Sequence, residues 1–237
     1  MSSPKRLARI AGFLYLLVGI CGGFAEGYVE PKMYVAGNAA ATFGNIVANS
    51  VLVRLGVVAD LLDATFFVFV ALALYVLLKH VHKGVARAML VLVMLAAGIT
   101  CVAAIFEFEA LRVATGAVDL GALGVGGSSA MVLLLTDLQH YGLLAAQIFF
   151  GLWLAPLGYL AYRSGWFPKA LGVVLIAAAA SYIVDMLFAF LAPDIARSIH
   201  GFATILPAIA EPAMVLYLLI IGVWIKQPSV ERVLAVA

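Results

Sequence analysis

Five titratable side chains, Asp60, Asp63, His140, Asp185 and Glu211, stand inside or at the edge of long apolar runs. A charge held near the bilayer centre costs at least about 2.5 kcal/mol unless it faces the bundle interior, pairs or takes up a proton. These residues are therefore the candidates for a binding site. Helical spacing groups them: Asp60 and Asp63 share a face, as do Asp137, His140, Leu144 and Gln147, and Ser181, Tyr182 and Asp185 form a third set. Desolvation favours the protonated form of a carboxyl group, which is how acids in pumps and transporters serve as proton carriers. Carboxylates and a histidine projected from several helices could also hold a hard cation. The HExxH, GxSxG and Walker A patterns are absent. No catalytic residue, metal ligand set or cofactor is assigned on that basis, and the balance leans away from an enzyme.

The elements that position these residues follow from composition. Of 237 residues, 66% are hydrophobic and 11% charged, against about 25% charged in soluble domains. The chain is therefore expected to be an all-α membrane protein, one integral membrane domain over residues 1–237. A net charge of +2 provides no basic face for nucleic acid. Cys21 and Cys101 lie in apolar runs and read as small buried hydrophobes. A bilayer core about 30 Å thick requires about 20 apolar residues of helix. Six stretches meet this requirement, 7–27, 55–78, 85–108, 143–162, 170–191 and 205–225, the last passing through Pro212. Apolar length favours a retained first helix over a cleaved signal peptide. Gly19, Gly23 and Gly27 repeat at four-residue intervals on that helix, the pattern that lets a second backbone approach.

Lysine and arginine set the orientation. Lys5, Arg6, Arg9, Lys79, Lys83, Arg87, Arg163, Lys169, Lys226 and Arg232 fall on one side, and Lys32, Arg54, Arg112 and Arg197 on the other, so ten of the 14 share a side. A six-helix bundle with both termini cytoplasmic satisfies the rule. Two outer segments are long: 28–54, with Asn38, Asn45 and Asn49, and 115–130, punctuated by five glycines. The second reads as a plain surface loop, with a re-entrant hairpin or a flexible lid as alternatives. Arg197 and His200 fall near the last outer loop.

On this topology every acid within or bordering a span lies in the outer third. Asp63, Asp185 and Glu211 are deepest, while Glu26, Glu107, Glu109 and Asp137 read equally well as interfacial and wet. The expected site is an outward-opening polar cavity walled by the second, fourth, fifth and sixth spans. Asp185 and Glu211 would carry the charge, with Asp60, Asp63 and His140 lining the site. Pro212 directly follows Glu211 and frees a carbonyl about one turn earlier, so a kink beside that acid is expected. The functional reading is proton- or cation-coupled binding or transport of a small or lipid-like solute. The alternatives are a metal-dependent membrane enzyme acting on lipid or isoprenoid substrates, and a structural or regulatory partner without chemistry. Membrane lipids and a small-molecule or ion ligand are the expected partners. Six helices and no clear inverted repeat make homo-oligomerisation a way to complete a pathway.

Four segments carry a family resemblance: Arg9-Ile10-Ala11-Gly12-Phe13-Leu14-Tyr15-Leu16; Leu74-Tyr75-Val76-Leu77-Leu78-Lys79; Gly158-Tyr159-Leu160 through Arg163-Ser164-Gly165-Trp166-Phe167-Pro168-Lys169 to Leu171-Gly172; and Glu211 followed by Leu216 to Val223. The chain resembles the bacterial multi-pass family catalogued as domain of unknown function four-three-eight-six, over nearly its whole length. It differs from the family pattern at Tyr217, where tryptophan is expected, and at Asn38 after Gly37, where aspartate is expected. The resemblance implies a six-helix bacterial membrane protein, supplies no activity, and singles out Glu211 among the acids.

Overall fold

The computed structural model describes residues 3–124 and 126–224. Among these residues the chain is all helical, with six helices long and apolar enough to cross a membrane. Helix α1 (Pro4–Phe24) starts where the Ser3 hydroxyl accepts from the Arg6 amide at 3.3 Å and Pro4 occupies the first turn, where its missing N–H costs nothing. It runs through a π-helical turn, Ala25–Val29, into the short α2 (Glu30–Met33). Then follow α3 (Ala39–Ala48), capped by the Asn38 side chain, α4 (Ser50–Leu78), α5 (Lys83–Ala114), capped by His82, and α6 (Gly127–Ser164). Helices α7 (Lys169–Leu191), α8 (Pro193–Ala203) and α9 (Ile205–Ile220) complete the order.

Three segments differ from their expected form. The stretch 28–54 is largely helical, because Asn38 caps α3 and α4 already begins at Ser50. The 115–130 loop is shorter: Gly126, at φ 86°, turns the chain into α6, which adds sixteen residues before the expected start at 143. The last outer loop is helix α8, because Pro193 is preorganised for a first turn and Asp194 pairs with Arg197 one turn on. Ile225, Lys226 and Arg232 lie outside the described residues.

The long helices form a closed ring. Each of α1, α4, α5, α6 and α7 packs on the next, α7 packs on α9, and α9 returns to α1. Glycines set the closest approaches. A Cβ at Gly158 would lie 2.6 Å from the Gly172 carbonyl oxygen, one at Gly151 would lie 2.8 Å from Tyr182 Cβ, and one at Gly12 would lie 2.8 Å from Leu218 Cβ. Gly19, Gly23 and Gly27 meet nothing within 4 Å. The four-residue glycine stripe therefore faces outward, and the glycines of α1 that meet neighbouring helices are Gly12 and Gly22.

The ring interior has three layers. At the end where the described residues begin and finish, Leu74, Met89, Trp153, Leu157, Leu175 and Leu218 belong to a large apolar cluster. At the distal end, Met33, Ile46, Val53, Leu111 and Val132 belong to a smaller one, to which α2 and α3 contribute. Asp60, Asp63, Thr100, Glu107, Gln139 and Asp185 are the buried polar residues in the intervening part of the helices.

Candidate functional site

Helix α4 carries the centre of this polar layer. Asp60 and Asp63 are 3% and 7% exposed, and Glu107 on α5 is 2% exposed. The Asp60 carboxyl stands at hydrogen-bonding reach of Glu107 and of Glu26 in the π turn. A bond between two carboxyls requires a proton on one of them, since an ionised carboxylate only accepts. Small residues make the approach feasible. A Cβ at Gly56 would come within 3.2 Å of Glu107 Oε1, and one at Gly22 within 3.2 Å of Asp63 Oδ1. The π turn inserts an extra residue and so re-aims the side chains that follow it, a device frequent at functional sites.

Glu211 is held next to this group. Its Oε2 accepts from the Tyr15 hydroxyl at 2.6 Å and its Oε1 from Tyr182 at 2.9 Å. Asp63 lies within electrostatic range of both Asp60 and Glu211. Below this clamp Tyr15, Phe67 and Trp153 pack edge to face, with ring centroids 5.4 Å and 4.9 Å apart. Helix α9 passes through Pro212 without a break.

Two histidine–acid pairs flank the centre. His140 Nδ1 meets Glu30 Oε1 at 2.6 Å, and His200 Nδ1 meets Asp185 Oδ2 at 2.9 Å. Tyr34 donates to Asp137 at 2.6 Å and its ring lies 5.0 Å from that of His140. The Tyr34 phenol, between α2 and α3, is pushed above its ordinary value, by burial first and then by its bond to Asp137. Glu30 is an electrostatic neighbour of Glu26, Asp60 and Glu107, so the His140 pair adjoins the central acids.

The structure thus distributes the five expected site residues over neighbouring contacts instead of one point. Asp60 and Asp63 join Glu26 and Glu107; Glu211 joins two tyrosines; His140 joins Glu30; Asp185 joins His200. Helix α1, left out of the expected cavity wall, supplies Tyr15, and its continuation supplies Glu26. Sequence reasoning read Glu26 and Glu107 equally well as interfacial, grouped Tyr182 with Asp185 on one helix face, and gave Glu30 and Tyr15 no place in the site. Glu107 had a readable signal: Ala103, Ala104, Ala110 and Leu111 surround it on a buried face of α5. Among the described residues, no group of three or more His, Cys, Asp or Glu is arranged to hold a metal ion. None of Glu26, Asp60, Asp63 and Glu107 has a Lys or Arg partner within salt-bridge distance among the described residues.

Comparison with known proteins adds a family and no activity. The family model described as "Domain of unknown function (DUF4386)" matches residues 10–222. An uncharacterized protein of Archaeoglobus fulgidus is 32% identical over 130 residues, covering 55% of this chain. The matched region spans 62% of that relative's length. No solved structure matches.

Proposed function

The chain belongs to the family described as "Domain of unknown function (DUF4386)", and for this multi-pass membrane protein we propose proton- or cation-coupled binding and transport of a small solute. It would act in the bacterial cytoplasmic membrane, with both termini cytoplasmic, Asp60, Asp63, Asp185 and Glu211 binding proton or solute, and His140 beside them. Membrane lipids surround it, and a second copy of the chain is a candidate partner. The observation that carries the reading is the central acid group. Asp60, Asp63 and Glu107 are buried in the bundle, with Glu26 against them and no Lys or Arg in salt-bridge contact with any of the four among the described residues. Acids kept at bilayer depth without a counter-charge must hold a proton or a cation there, the charge that a coupled carrier loads and releases.

The acids lie between two apolar clusters, so a coupled cycle requires α2 and α3 to move aside at the distal end, exposing the acids to one face of the membrane at a time. Proteoliposomes with an internal pH dye and an imposed inside-negative potential test the reading. Wild-type protein is expected to acidify the lumen, and Asp60→Asn, with unchanged helical content, to abolish acidification. Equal rates for both proteins, or no acidification by either, would reject proton coupling.

A further inference from the structure

The end of the bundle where the described residues begin and finish carries charge of one sign. Its four stretches, 3–16, 72–90, 158–175 and 216–224, hold eight Lys and Arg and no Asp or Glu. All eight are exposed, and among the described residues none has a carboxylate within salt-bridge distance.

Packing draws half of this charge together. The His80 and Trp166 rings lie 4.3 Å apart, which sets the α4–α5 turn against the α6–α7 turn. Lys79 and Lys83 stand on either side of the first turn, and Arg163 and Lys169 on either side of the second. The Trp166 carbonyl accepts from the Tyr217 hydroxyl at 2.9 Å and from the Trp224 amide at 3.1 Å. The junction is therefore tied to α9 and the segment after it.

Height decides which anion fits. Lys169 Nζ lies 5.4 Å from the centre of the Tyr162 ring and Lys79 Nζ 5.8 Å from that of Tyr75. Tyr159 and Tyr162 are each 39% exposed, and exposed tyrosines near the end of a span mark headgroup level. Toward the bundle middle the same helix faces turn apolar. Arg9 stands four residues from Phe13, Lys79 three from Val76 and Lys169 four from Val173, spacings that share a helix face. Those three apolar side chains are all exposed. An anion with an apolar tail covers both parts of such a face, whereas a soluble polyanion would leave the apolar part bare.

We propose that this end binds the headgroups of anionic phospholipids, with Lys79, Lys83, Arg163 and Lys169 meeting the phosphates where the two turns join and acyl chains lying on the apolar faces beneath. Basic clusters at the end of a span attract acidic lipids in this way. The site is separate from the central acids and stands without the transport reading.

Thermal unfolding of the full-length protein in a neutral detergent, titrated with phosphatidylglycerol or with phosphatidylcholine of the same chains, tests the assignment. Phosphatidylglycerol is expected to raise the wild-type midpoint saturably, with half-saturation at least tenfold below that of phosphatidylcholine, and raised salt to shrink the difference. Glycerol phosphate, a headgroup without chains, should leave the midpoint unchanged at the same concentrations. Replacing Lys79, Lys83, Arg163 and Lys169 together by Gln should reduce the phosphatidylglycerol response to that of phosphatidylcholine, while Arg54→Gln, at the other end, leaves it intact. Should the fourfold variant not fold, Lys79→Gln with Lys169→Gln is expected to weaken the response at least threefold. The assignment is overturned if the two lipids act alike on wild type, if the folded variant keeps the wild-type response, or if Arg54→Gln weakens it equally. It is overturned too if glycerol phosphate matches the lipid, which would make this a site for a soluble anion.

Discussion

The Tyr15 hydroxyl donates to Glu211 Oε2 across 2.6 Å, joining the first long helix to the last. The two residues are 196 positions apart, and their bond lies where α9 closes the ring on α1. Tyr182 of α7 completes the clamp at 2.9 Å, so one carboxyl ties three helices together.

Removing the Tyr15 hydroxyl should therefore loosen the ring closure. Tyr15→Phe is expected to cost about 2 kcal/mol, because Glu211 loses its shorter donor within the bundle. Tyr182→Phe should cost less, its bond being longer. Thermal unfolding in detergent, read by loss of helical signal, measures the difference, and equal midpoints for Tyr15→Phe and wild type would remove the clamp's structural role.

Glycine substitutions should separate the close approaches from the open stripe. Gly158→Ala places a methyl group 2.6 Å from the Gly172 carbonyl oxygen, and overpacking of that kind costs about 1–3 kcal/mol. Gly56→Ala would press on Val29 Cγ1 at 2.9 Å and Glu107 Oε1 at 3.2 Å, so it should lower both stability and proton uptake. Gly23→Leu meets open space and should shift stability by no more than about 0.5 kcal/mol. The same melting assay ranks all three.

Tyr34 gives a pH dependence of definite sign. Its phenol is held above the ordinary value by burial, then by Asp137, so the folded protein binds that proton more tightly than the unfolded chain does. The resulting stabilisation is complete below the free phenol's pKa, about 10, and is lost as pH rises past it. Stability should fall with alkalinity from about pH 10, and Tyr34→Phe should flatten that decline. Denaturant midpoints measured from pH 8 to 11 compare the two slopes.

Orientation can be read by labelling single cysteines in a Cys21→Ser, Cys101→Ser background. With both termini cytoplasmic, Gly116→Cys should react with a membrane-impermeant maleimide on intact cells. Lys83→Cys, at the first residue of α5, should react only after permeabilisation. The opposite pattern would invert the assignment.

Much of the bundle was legible because apolar length acts locally. A helix must hide its backbone polar groups from lipid whatever its neighbours do, so 85–108 and 170–191 announced α5 and α7. Boundaries were less legible. The extension of α6 back to Gly127 depends on Gly126 at φ 86°, and the helical form of 28–54 depends on Asn38 accepting from the Ala41 amide at 3.0 Å. Both are short-range events buried in a segment whose composition reads as loop.

The sequence by itself determined that this is a helical membrane protein with acids placed toward one end of its spans, because hydropathy and charge sum residue by residue. Only the tertiary structure decided which acids face each other. That choice depends on the azimuth of each helix, on the extra residue of the Ala25–Val29 turn that re-aims Glu26, and on Gly56 and Gly22 admitting carboxyls against a neighbouring backbone. Azimuth and close approach are relations between helices, fixed by packing complementarity that no single segment encodes.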